Sequence, residues 1–84
     1  MQEVAVVCSS MKRANWLMNY AIDKAPKVFK KRGRDYLLTT NDVKYVFMSY
    51  QNCEMRLRGF RGLQLGDNEF EKMFTCGFTE VKGE

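Results

Sequence analysis

Residues 3–8, EVAVVC, form an almost unbroken run of small and β-branched apolar side chains. A strand with one wet face alternates apolar and polar residues. The lack of alternation here predicts a strand covered on both faces, the environment of a parallel sheet. Ser9 and Ser10 follow, and either hydroxyl can accept from the free amides at the start of a helix. Apolar residues then recur at steps of three and four, at Ala14, Leu17, Met18, Ala21, Ile22 and Ala25. That spacing paints one face of a helix and leaves Lys12, Arg13, Asn15, Asn19, Asp23 and Lys24 on the other. Pro26 ends it, because the residue before a proline is pushed out of helical backbone. Strand, serine turn and amphipathic helix make a βα unit, so the expected class is α/β.

The remaining elements read as short. Residues 36–40 (YLLTT) and 43–50 (VKYVFMSY) are joined by Asn41 and Asp42, which tolerate positive φ, and this predicts a hairpin with a two-residue link. Val43, Tyr45 and Phe47 share one face, and Lys44, Val46 and Met48 the other. Neither face is wholly polar, so the hairpin is expected to be covered on both sides. Asn52 can cap a helical turn over 53–58 that Gly59 would stop. Residues 62–66 (GLQLG) read as a short strand and 67–73 as a further helical turn. Asp67, Glu69 and Glu71 lie at its favourable N-terminal end. Residues 74–81 (FTCGFTEV) read as a last strand. The expectation is a single domain over residues 1–84, with a mixed sheet of about four or five strands, one long helix over about 10–25 and one or two short helical turns.

Composition narrows the chemistry. The 84 residues include no histidine, which removes the commonest general base and the usual zinc ligand. The three cysteines, Cys8, Cys53 and Cys76, are odd in number and lie far apart, which fits neither a disulfide framework nor a thiolate metal site. They read as reduced, mostly buried thiols. Asp67, Glu69 and Glu71 lack the ligand spacing of a calcium loop. No catalytic residue, metal site or cofactor is expected, and the chain reads as a non-enzyme. No stretch resembles a signal-peptide core or approaches the roughly 20 apolar residues of a membrane helix. A cytoplasmic protein without membrane contact is expected.

Charge is unevenly spread. Residues 11–61 carry twelve Lys/Arg against four Asp/Glu, whereas residues 62–84 carry two against five. Two basic clusters stand out. Lys24, Lys27, Lys30, Lys31, Arg32 and Arg34 form the first, with no acid among them. Arg56, Arg58 and Arg61 form the second, around Gly59 and Phe60. Each can be a solvated face or a phosphate-contacting patch. Guanidinium groups suit phosphate forks, and an exposed Phe60 or Tyr50 beside them can stack on a base. Trp16 lies off the centre of the apolar stripe, at the core margin or as an anchor for a partner.

The order strand, serine turn, helix, hairpin, Arg-Gly turn, short strand and acidic cluster resembles part of a P-loop ATPase core of the phage terminase and helicase type. AVVCSS with its helix is similar to the unit after the nucleotide-binding one. VKYVFMSYQNCEMRLRGFRG resembles the strand and RLRG turn before the Walker B strand, and LQLGDNEF stands at the Walker B position. Two departures matter. The Walker A loop, GxxxxGK(S/T), is absent, and Gly66 and Asn68 interrupt the apolar-then-Asp-Glu pattern. The resemblance therefore implies a truncated relative without catalysis. Such a core, lacking its first strand, exposes a sheet edge that a partner or a second copy would cover.

Two functions follow as expectations. One is a small phage-encoded accessory or regulatory protein in the host-cell cytoplasm. It would bind a host or phage protein, or itself as a homodimer. The other is a nucleic-acid-binding module that contacts DNA or RNA phosphates through the clusters at 24–34 and 56–61. No helix-turn-helix, RNP-like or zinc-finger pattern accompanies those clusters, so sequence-specific reading is not expected.

Overall fold

The computed structural model describes residues 2–51 and 53–75. In chain order the elements are β1 (Gln2–Cys8), α1 (Met11–Lys24), β2 (Phe29–Lys31), β3 (Tyr36–Thr39), β4 (Val43–Ser49), α2 (Cys53–Leu57), β5 (Leu63–Gly66) and α3 (Asp67–Thr75). The five strands form one sheet in the order β2-β3-β4-β1-β5. β1 runs parallel to both its neighbours, and β3 runs antiparallel to β2 and β4. This is the mixed α/β sheet with one longer helix that the sequence predicts.

β1 earns its central place by composition. Val4, Ala5, Val6 and Cys8 are completely buried, as an unalternating strand between two neighbours requires. The turn after it uses its two serines differently. Ser10 caps α1 by accepting from the Arg13 amide at 3.1 Å, whereas the Ser9 amide donates to Asp67. Ala14, Leu17, Met18 and Ala21 of α1 are buried to the last atom. The Ala25 amide closes on the Ala21 carbonyl at 2.9 Å, immediately before Pro26.

One sheet face carries the main core. Val4, Val6, Val43, Tyr45, Phe47 and Leu37 meet α1 and α3 there, with Phe29 and Phe70 completing it. The opposite face holds a smaller cluster of Ala5, Val46 and Met48, packed by Tyr36, Cys53, Leu57 and Phe60. The short α2 is the helix on that side, so the second face is sealed at its centre and furrowed at its margin.

Three sequence expectations change. Residues 29–31 lie inside the first basic cluster, where the sequence shows no strand, yet form edge strand β2, paired with β3 from Phe29 opposite Thr39 to Lys31 opposite Leu37. Lysines on a three-residue edge strand discourage pairing with another chain, and they also hide the strand from a search for apolar alternation. The hairpin link has three residues, not two. The register pairs Leu38 with Lys44, leaving Thr40, Asn41 and Asp42 in the loop, with Asp42 at φ 61°. Thr39 Oγ1 accepts from the Asn41 and Val43 amides and fixes that loop. Finally, Phe74 and Thr75 belong to α3 rather than to a last strand, because Phe74, one helical turn after Phe70, packs against Phe70 and Phe29. The rest of that predicted strand, the Asn52 cap and Cys76 lie outside the described residues.

Burial pushes the Cys8 thiol from its ordinary 9.0 up to about 11, with the Asp67 carboxylate adding to the shift and the Arg13 guanidinium opposing it. A pH dependence follows. Below pH 9 both folded and unfolded chains keep this proton. Between the two values only the unfolded chain releases it, so stability falls as pH rises, by up to roughly 2 kcal/mol. Thermal melts at pH 8 and pH 10.5 are expected to show a larger drop for the native chain than for Cys8→Ala. Equal drops would mean that Cys8 does not titrate in this way.

Candidate nucleic-acid interface

Three adjoining cavities meet at Arg56. The first, about 450 Å³, lies at the amino ends of β1 and β5, between Gln2, Glu3 and the turn from Arg58 to Gly62. The second, about 280 Å³, lies on the second sheet face over Val46 and Met48, walled by Tyr36, Lys44, Phe60 and Asp35. The third, about 640 Å³, lies between the start of α1, at Met11 and Asn15, and the segment holding Lys31, Arg34 and Asp35. The second shares Glu3 and Phe60 with the first and Asp35 with the third, and Arg56 lines all three. The furrow they form therefore starts beside α2 on the second sheet face and bends round Arg56 to the α1 side, the side on which Lys31 lies with Leu37 and Tyr45.

Local sequence explains the shape. Cys53 and Leu57 anchor α2 to the sheet and turn Arg56 outward along the furrow. Gly59 then reverses the chain at φ 77°, where a side chain would be strained. At Gly62 a Cβ would sit 2.1 Å from the Glu3 carbonyl oxygen, so only glycine lets the arginine turn press against β1. Arg58 and Arg61 therefore project from a turn that is fixed at both ends.

The furrow is strongly basic. Lys31, Arg34, Lys44, Arg56, Arg58 and Arg61 line it, against Glu3 and Asp35. Arg56 donates to the Asp35 carboxylate at 2.7 Å and to the Phe47 carbonyl at 3.5 Å. Lys44 Nζ stands 4.5 Å from the centre of the Tyr36 ring. The cations follow one another along the furrow, Arg58 and Arg61 in the first cavity, Lys44 and Arg56 in the second, Lys31 and Arg34 in the third. A polyanion that bends round Arg56 therefore meets positive charge along its length.

The clusters picked out in the sequence are thus partly united. Lys31 and Arg34 from the first share a cavity with Arg56 from the second, and Phe60 walls two of the three cavities. Lys24, Lys27, Lys30 and Arg32 are exposed outside these cavities. Lys24 stands over the Tyr20 ring at 5.6 Å, and Lys30 shares the second face with Lys44 across the β3 register. Trp16 is 48% exposed on α1, stacked on Tyr20 at 4.9 Å with the Arg13 guanidinium over its ring, and it does not line the furrow. Tyr50 is also exposed. Sequence reasoning missed Tyr36, Lys44, Asp35 and Glu3 as site residues. The one usable signal was the alternation that puts Lys44 on the face opposite Tyr45.

The acidic residues after β5 have structural tasks. Asp67 is buried, accepts from the Ser9 amide at 3.3 Å and faces Arg13 Nε at 3.6 Å. Glu71 accepts from the Arg13 guanidinium, and Glu69 accepts from the Gly66 amide at 3.1 Å. They join α3 to the β1–α1 turn and satisfy amides at a helix start. Among the described residues no three His, Cys, Asp or Glu side chains converge as metal ligands. No helix among them is long and apolar enough to cross a membrane. No protein-family model matches the sequence, and no curated protein or solved structure matches it significantly.

Proposed function

We propose that this protein is a non-enzymatic binding module whose ligand is the phosphate backbone of a nucleic acid, held in the furrow beside α2. The convergence of Lys31 and Arg34 with Arg56, Arg58 and Arg61, which come from distant parts of the chain, carries the reading. Scattered solvating charge has no reason to follow a run of cavities that all share Arg56. In the likeness to a P-loop ATPase core the Walker B position falls at the junction of β5 and α3, where Asp67 serves Ser9 and Arg13. A phage-encoded accessory role rests on that likeness.

The test is fluorescence anisotropy with short labelled DNA and RNA strands across a salt series. Three to five phosphate contacts predict that log affinity falls with log salt at a slope of about −2 to −4 for single strands. Absence of binding at about 20 mM salt would refute the reading, since an electrostatic site is strongest there.

A second reading is a protein partner or a second copy of the chain, and exposed Trp16 favours it. An indole that is 48% exposed, already stacked on Tyr20 and bordered by Arg13, is an ordered amphipathic surface of the kind found at interface hot spots.

A further inference from the structure

From the middle cavity of the furrow we infer that the ligand is single-stranded, and that this cavity takes one unstacked base while the flanking cations hold its phosphates. The inference rests on the phosphate-binding reading above and adds what a pure phosphate groove would not contain. The cavity has an apolar floor of Val46 and Met48 and two aromatic walls, Tyr36 and Phe60. Its volume of about 280 Å³ suits one small planar group rather than a helix. Apolar floor and ring walls reward the face of a base and offer nothing to a phosphate.

The carboxylates point the same way. Glu3 and Asp35 both line this middle cavity, and it is the cavity where the two acids meet, although each also borders one flanking cavity and Asp35 pairs with Arg56. Facing a phosphate they would repel it. Facing the edge of a base they accept from its amino or imino N–H groups, while Lys44 and Arg56 donate to its carbonyl and ring nitrogens. Aromatic faces, acceptors and donors thus meet in one place, with Arg58 and Arg61 to one side and Lys31 and Arg34 to the other. A duplex hides its bases in the stack and cannot place one there without flipping it out. The denser charge of a duplex would otherwise make it the stronger ligand of a cationic groove.

The deciding experiment compares three labelled 12-mers at one salt concentration with the full chain: a mixed-sequence single strand, its duplex, and an abasic strand with the same sugar–phosphate charge. The single strand is expected to bind at least tenfold tighter than the abasic strand, and tighter than the duplex. Tyr36→Leu with Phe60→Leu, which keep apolar bulk, should remove about tenfold of the single-strand affinity and leave abasic binding unchanged. If the abasic strand or the duplex binds as well as the single strand, the base site is overturned and the phosphate reading stands. If none of the three binds at low salt, both fail together.

Discussion

Changing Arg56, Arg58 and Arg61 together to Glu is expected to lower single-strand affinity by about 100-fold or more at ~100 mM salt, and to flatten the salt slope by about two. All three side chains are exposed, so the fold should survive the change. Two Arg56 interactions are lost, the partly exposed pair with Asp35, worth at most about 1 kcal/mol, and the long hydrogen bond to the Phe47 carbonyl. Circular dichroism and melting curves check this before any binding is measured. The comparison that gives the experiment its force is Lys24, Lys27, Lys30 and Arg32 changed to Glu. This reverses more charge outside the furrow and should weaken binding only a few-fold, through the long-range field. Equal losses from the two variants would mean that net charge matters and the furrow does not. Asp35→Asn should move affinity the other way for an abasic strand, because it frees Arg56 from an internal anion.

The parts of this molecule that were legible in the sequence are those whose burial follows a local period. β1 shows itself by lacking polar alternation, α1 by its three-and-four spacing, and β4 by the shared face of Val43, Tyr45 and Phe47. Elements whose reason is non-local were harder to read. β2 exists because Phe29 reaches the aromatic core and Thr39 pairs with it, while Lys30 and Lys31 make the segment look like a solvated link. Phe74 suits a strand by composition, yet it is helical because Phe70 is one turn away and both rings face Phe29. The furrow divides the same way. The arginines were visible as charge, whereas Glu3 and Lys44 become neighbours through a parallel register across 41 positions of chain. Asp35 likewise meets Arg56 only once β3 and α2 flank the same strand.

Phe70→Ala is expected to be the most destabilising single change in the main core. Phe70 is fully buried, and its ring centre lies 5.2 Å from that of Phe47, 5.3 Å from Phe74, 5.5 Å from Tyr45 and 6.4 Å from Phe29. Those rings come from β2, β4 and α3, so one side chain ties the last described helix to a central and an edge strand. Truncating a buried phenylalanine typically costs about 3–5 kcal/mol in transfer and cavity terms, and edge-to-face pairs add to it. A domain of this size often has only about 5 kcal/mol or little more in total. The variant should therefore be largely unfolded near 37 °C, with urea unfolding shifted to much lower concentration. Phe70→Leu, which keeps most of the volume, should lose distinctly less. Truncating Leu57, half-buried under the smaller cluster on the opposite face, should cost little by comparison. If Phe70→Ala and Leu57→Ala destabilised equally, the two faces would carry equal shares of the fold. The sheet would then not rest chiefly on its aromatic side.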